Sequence, residues 1–105
     1  MYSRAAYMLG TVEEAKRAAF NRALETDVLP LIRSMPGVSD AHFHFTDEAD
    51  ENAPGIYALL TIYYASRADM DVALSSPIRG EMQQKFRALL PDFDGTLSHI
   101  NSHVS

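Results

Sequence analysis

A chain of 105 residues, 47% apolar and 22% charged, has the size and composition of one ordinary globular domain, which excludes a disordered or fibrous protein. Its net charge of -5, with nine scattered basic residues, excludes a nucleic-acid surface, because phosphate binding needs clustered Lys and Arg. Cysteine is absent, so there is no disulfide frame, no thiolate nucleophile and no zinc site of the cysteine type.

No stretch approaches the roughly 20 apolar residues that cross a bilayer, and the first residues lack a basic region followed by an apolar run. A soluble, cytoplasmic protein without membrane contact is expected. Residues Tyr2 to Leu9 read as a first strand that stops at Gly10. Thr11-Val12-Glu13-Glu14 then has the spacing of a capping box and predicts a helix start. The apolar stripe of that helix runs through Ala15, Phe20, Leu24, Val28, Leu31 and Met35. Pro30 lies inside it and predicts a kink near Asp27, because proline removes a backbone donor and crowds the preceding turn. Pro36-Gly37 ends the helix.

Val38 to Thr46 alternates, which puts Ala41, Phe43 and Phe45 on one strand face and Asp40, His42 and His44 on the other. An acidic loop from Asp47 to Gly55 precedes Ile56 to Tyr64, whose nearly continuous apolar run predicts a central strand. Ser66-Arg67-Ala68-Asp69 opens a short helix to about Leu74. Ser76-Pro77 caps and starts another, with Ile78, Met82, Phe86, Leu89 and Leu90 on one side. From Phe93 to Val104 the chain alternates again, with Leu97, His99, Asn101 and His103 on one face.

The order strand, helix, strand, strand, helix, strand is that of a split βαβ, ferredoxin-like α+β domain spanning residues 1–105. Helices on one side of an open sheet leave the other side uncovered, which predicts a symmetric homodimer packed through its sheets.

All four histidines fall on the second and fourth strands, as the same-face pairs His42/His44 and His99/His103. Imidazoles titrate near neutral pH, so these are the candidates for acid and base catalysis, and two opposite sheet edges could bring the pairs together across a dimer. The stronger reading of at least one pair is as exposed or hydrogen-bonded polar residues, since histidine is intermediate in burial. Neither pair has a third ligand at a recognisable spacing, so no metal is assigned. Five tyrosines occupy the first and third strands, either as sheet-packing residues or as the lining of an aromatic pocket. Tyr7 and Tyr63, with Asn101 between the histidines of the last strand, are the candidates for holding a substrate.

Phe20, Pro30-Leu31, Pro36-Gly37-Val38 and Ala73-Leu74-Ser75-Ser76-Pro77 carry a resemblance to the EthD-like family of dimeric α+β barrels. The resemblance implies a homodimer and a small-molecule pocket between sheet and helices. Many members have a histidine two residues before the proline matching Pro30, where this chain has Val28, so that histidine's role does not carry over. Length and layout look most like the RedY-like proteins of prodiginine pigment pathways. That resemblance implies a cofactor-free enzyme acting on a pyrrole intermediate by ring closure with loss of water. A non-catalytic carrier, or a cofactor-free monooxygenase of the antibiotic-biosynthesis type, are the alternative readings.

Overall fold

The computed structural model covers residues 1–105. In order, the chain forms β1 (Tyr2–Val12), α1 (Glu14–Ala23), a π-helical turn (Leu24–Val28), α2 (Leu29–Ser34), β2 (Val38–Phe45), β3 (Ile56–Tyr64), α3 (Arg67–Leu74), α4 (Pro77–Leu89), a 3-10 turn (Leu90–Asp92) and β4 (Phe93–His103). The strands pair antiparallel in the order β2-β3-β1-β4. This is the ferredoxin-like α+β arrangement, with β2 and β4 at opposite edges.

Pro30 accounts for the wide turn between α1 and α2. It has no amide to give to Thr26, and the Leu29 amide instead reaches the carbonyl of Leu24, five residues back. The kink expected near Asp27 therefore takes the form of a π turn. Past α2 the chain reverses through Gly37 at φ 89, where a Cβ would sit 2.3 Å from the Asp69 carbonyl oxygen. Both the backbone angle and the approach of α3 require glycine there.

The two expected capping boxes have different outcomes. Ser66 caps α3, accepting from the Asp69 amide at 3.3 Å and donating to the Asp69 carboxylate at 2.9 Å. Thr11 caps nothing, because β1 does not stop at Gly10 but continues to Val12 in register with β4. The residue flanking α1 is Glu13, with no side-chain cap.

Register decides which face each strand residue takes. Tyr2, Arg4, Ala6 and Met8 of β1 share a face with Ala58, Leu60, Ile62 and Tyr64 of β3, with Ala41, Phe43 and Phe45 of β2, and with Leu97, His99, Asn101 and His103 of β4. The helices cover the β1, β2 and β3 part of this face, where Phe20, Leu24, Val28, Ile32, Met70 and Ala73 close the core from their side, while Leu97, His99, Asn101 and His103 on the edge strand β4 stay exposed. At about 1.5–3 kcal/mol per fully buried large apolar side chain, this one cluster is the main source of stability. Tyr57 is the extra residue of a bulge between Met8 and Leu9 of the partner strand. The bulge turns its ring toward Phe20 and Phe93, and its hydroxyl donates to Asn21 Oδ1.

On the opposite face stand Ala5, Tyr7, Leu9, Leu59, Thr61, Tyr63 and Ile100, together with Asp40, His42 and His44. No helix packs there, and Ile100 is 53% exposed. No helix is long and apolar enough to cross a membrane.

Candidate functional site

A cavity of about 280 Å³ lies between the helix-covered face of the sheet and α4. Arg4, Tyr64, Phe43 and His99 contribute from the four strands, and Arg79, Met82, Gln83, Phe86 and Arg87 from α4. Twelve of its 17 lining residues are hydrophobic, so it suits a mostly apolar small molecule. The α4 stripe that starts at the Ser76 cap supplies the apolar wall, and Pro77 at the first helical position fixes where that stripe begins.

The polar groups gather around Arg4. Tyr64 is 1% exposed, and its burial raises the phenol above its usual value although Arg4 and Arg79 nearby act the other way. It is therefore a neutral O–H donor at neutral pH. Partial burial lowers His99 below the usual histidine value, and the positive charges of Arg4 and Arg79 lower it further. These surroundings favour the uncharged imidazole, the form that can accept a proton. Arg4 is itself lowered, first by burial and then by the like charge of Arg79.

Position at the site is set by simple bonds. The Arg4 guanidinium donates to Asn101 Oδ1 at 3.1 Å, and Arg79 Nη1 donates to the Leu74 carbonyl at 3.3 Å, at the end of α3. Neither arginine has a carboxylate partner. The carboxylates near basic groups are Glu13 and Asp92 with Lys16, and Asp40 in contact with the His42 ring.

Of the four histidines, His99 lines this cavity. His103 shares its face but packs edge-on against Tyr2, with ring centroids 5.3 Å apart. His42 and His44 lie on the uncovered face at the far edge strand, their rings 6.4 Å apart, and His42 Nε2 is 2.9 Å from Asp40 Oδ2. The Ala41 amide, then His42, hold the Asp40 carboxyl below its usual range. Within one subunit the two histidine pairs are separated by the sheet, because strands β2 and β4 present them to opposite faces. Tyr7 and Tyr63 also stand on the uncovered face, while Asn101 stands at the cavity edge holding Arg4.

Arg4, Tyr64 and Arg79 are the functional candidates that the sequence reading did not single out. Arg4 did leave a signal: it is a charged residue in phase with Ala6 and Met8, on the face that alternation makes core. Arg79 borders the Ile78 and Met82 stripe, which reads as an ordinary solvated flank.

No protein-family model matches the chain. Among curated proteins it is 33% identical over 63 residues to an uncharacterized 11.0 kDa protein of the thcB-thcC intergenic region in Rhodococcus erythropolis, covering 60% of this chain and 61% of that one. Its match therefore spans less than two thirds of that relative. Among solved structures it is similar to an EthD family protein from Bacillus halodurans, with TM-score 0.73, 15% identity and all of both chains covered. An antibiotic biosynthesis monooxygenase matches with TM-score 0.66 and 10% identity, over 100% of this chain and 99% of that one. A dimeric protein of ferredoxin-like fold from Bacteroides fragilis matches with TM-score 0.70 and 7% identity, over 98% and 95%. At these identities what is shared is the fold, a ferredoxin-like α+β subunit common to EthD and antibiotic-biosynthesis-monooxygenase proteins.

Proposed function

We propose that this protein is a cofactor-independent catalyst of small-molecule metabolism. In this reading His99 acts as base and Tyr64 as proton donor toward an aromatic substrate held in the cavity. The observation that supports it is the convergence of His99, Tyr64, Arg4 and Arg79 on one apolar cavity, with the imidazole kept uncharged by its surroundings. His99 takes a proton from an activated C–H or N–H bond. The negative charge that develops on the conjugated substrate is met by the Tyr64 hydroxyl and the two guanidinium groups.

The finer form of this reading is ring closure of a pyrrole intermediate, as in prodiginine pathways. There the ring closes as an amine nitrogen of the intermediate bonds to its own carbonyl carbon, the C=O becoming C–OH with a proton from Tyr64 while His99 takes the proton from nitrogen. After solvent has reset both groups, His99 removes a carbon-bound proton as Tyr64 protonates the departing hydroxyl, which leaves as water. Proton return from His99 to Tyr64 through solvent resets the site. The likeness to an antibiotic biosynthesis monooxygenase favours a second reading, in which the same base ionises a hydroquinone that then consumes oxygen. A carrier role would use the cavity without proton transfer.

The working unit in this proposal is a homodimer joined through the uncovered sheet face. The exposure of Ile100, on the same sheet face as Tyr7 and Leu59, and the dimeric ferredoxin-like neighbour support it. Sedimentation that finds only monomer at micromolar concentration would remove it.

The catalytic reading is tested by proton exchange. An aryl ketone with one activated methylene, such as 1-tetralone, is incubated with the protein in heavy water and followed by NMR. Exchange that is accelerated by the protein and lost in His99→Asn supports the base. Equal exchange in both proteins refutes it. Oxygen uptake with a hydroquinone separates the second reading, and binding without exchange or uptake leaves carriage.

A further inference from the structure

We propose that the natural ligand of the cavity is an organic acid, an aromatic ring system whose carboxylate sits between Arg4 and Arg79. The inference rests on the cavity being the binding site, as proposed above, and adds the charge class of what it binds.

Arg4 and Arg79 line the same cavity from β1 and α4, near enough for the Arg79 charge to act on Arg4. Two guanidinium groups brought together in a mostly apolar cavity repel, and such pairs are stabilised by an anion. The chain holds 14 acidic residues and a net charge of -5, yet no Asp or Glu lines the cavity. Neither arginine has a carboxylate within 4.0 Å elsewhere, so the donors of both are spent only on Asn101 and on the Leu74 carbonyl. A guanidinium has five N–H donors in a planar fork that matches a carboxylate, and most of these remain for a ligand. The uncharged Tyr64 and His99 add no opposing charge.

Size and lining define the rest of the ligand. A cavity of roughly 150 Å³ takes one benzene, so 280 Å³ accommodates one or two fused rings with a carboxylate. Phe43, Met82 and Phe86 provide the apolar surface for those rings. Arg87 lies eight residues after Arg79 on the same helix, about 12 Å along its axis, and is outside the reach of the same carboxylate.

The test uses naphthoate, its methyl ester and naphthylmethylamine as probes of one shape and three charges, with binding measured by calorimetry. The acid is expected to bind at least tenfold more tightly than the ester, and the amine least. Arg79→Gln and Arg4→Gln should reduce naphthoate affinity roughly tenfold or more and ester affinity far less, so that the acid-to-ester ratio falls. Arg79→Lys, which keeps the charge and loses the fork, should fall between. Unchanged melting curves establish that the variants fold. The acid preference should shrink as salt rises. An ester bound as tightly as the acid overturns this inference and leaves the cavity reading standing. Failure of all three probes to bind overturns both.

Discussion

Arg4 and Asn101 stand directly opposite each other on β1 and β4, and the guanidinium donates to Asn101 Oδ1 at 3.1 Å. This contact aims the Arg4 charge without neutralising it, which a carboxylate at the same place would not do. Asn101→Asp is therefore expected to pair with Arg4, raise the His99 pKa and weaken binding of any anionic ligand. Asn101→Ala should cost less than about 1 kcal/mol of stability, since the bond is exposed. Histidine NMR titration of the Asp variant is the measurement, and an unmoved His99 counts against the arrangement.

His99 also makes stability depend on pH with a definite sign. Partial burial, then Arg4 and Arg79, place its folded pKa below the ordinary value of about 6.5. The charged and titratable groups that share its cavity are Arg4 from β1, Tyr64 from β3, and Arg79 and Arg87 from α4, of which Arg4 and Arg79 act on it. As pH falls, the unfolded chain takes up this proton first. The His99 contribution is thus complete above the ordinary value and is lost as pH falls from there through the lower folded value. Urea titrations across that range should show a shallower slope in His99→Asn, and Arg79→Gln should move the midpoint upward.

Gly10 and Gly95 are partners across the same two strands. A Cβ on Gly95 would lie 2.0 Å from the Leu9 carbonyl oxygen, and one on Gly10 2.1 Å from that of Asp94. Both obstacles are backbone and cannot swing away, so Gly95→Ala is expected to cost about 3 kcal/mol. Gly80 is the contrast. It lies within α4 with nothing within 4 Å of a new Cβ, and Gly80→Ala should stabilise by about 0.8 kcal/mol. Thermal melts of the two variants should move in opposite directions.

Tyr57→Phe removes the donor to Asn21 and keeps the ring against Phe20 and Phe93. A loss of about 1 kcal/mol is expected in denaturant unfolding. Tyr57→Ala should lose several times as much, because the aromatic packing goes with the bond.

The strands and helices were largely legible because their signals are local. Ser66, Ser76, Pro30 and Pro36-Gly37 each act within a few residues, and each has the effect its chemistry predicts. Gly10 misled for an equally physical reason. It reads as a turn, but its freedom from a side chain serves a close strand approach to Gly95, about 85 positions away in the chain. The Thr11 capping box failed with it, since a residue paired in a strand cannot cap a helix.

That His99, Asn101 and His103 share one strand face, and His42 and His44 another, follows from residue spacing alone, because alternation is a property of any extended chain. Which of these faces is on the helix side of the sheet, with His99 at the rim of the cavity, depends on the register of β4 on β1 and of β2 on β3, which no local pattern encodes. The same pairing brought Arg4 to Asn101 and set it, with Tyr64 and Arg79, around His99. Charges from three elements distant in sequence meet at one cavity because the sheet order places β1 between β3 and β4, with α4 across the face they share.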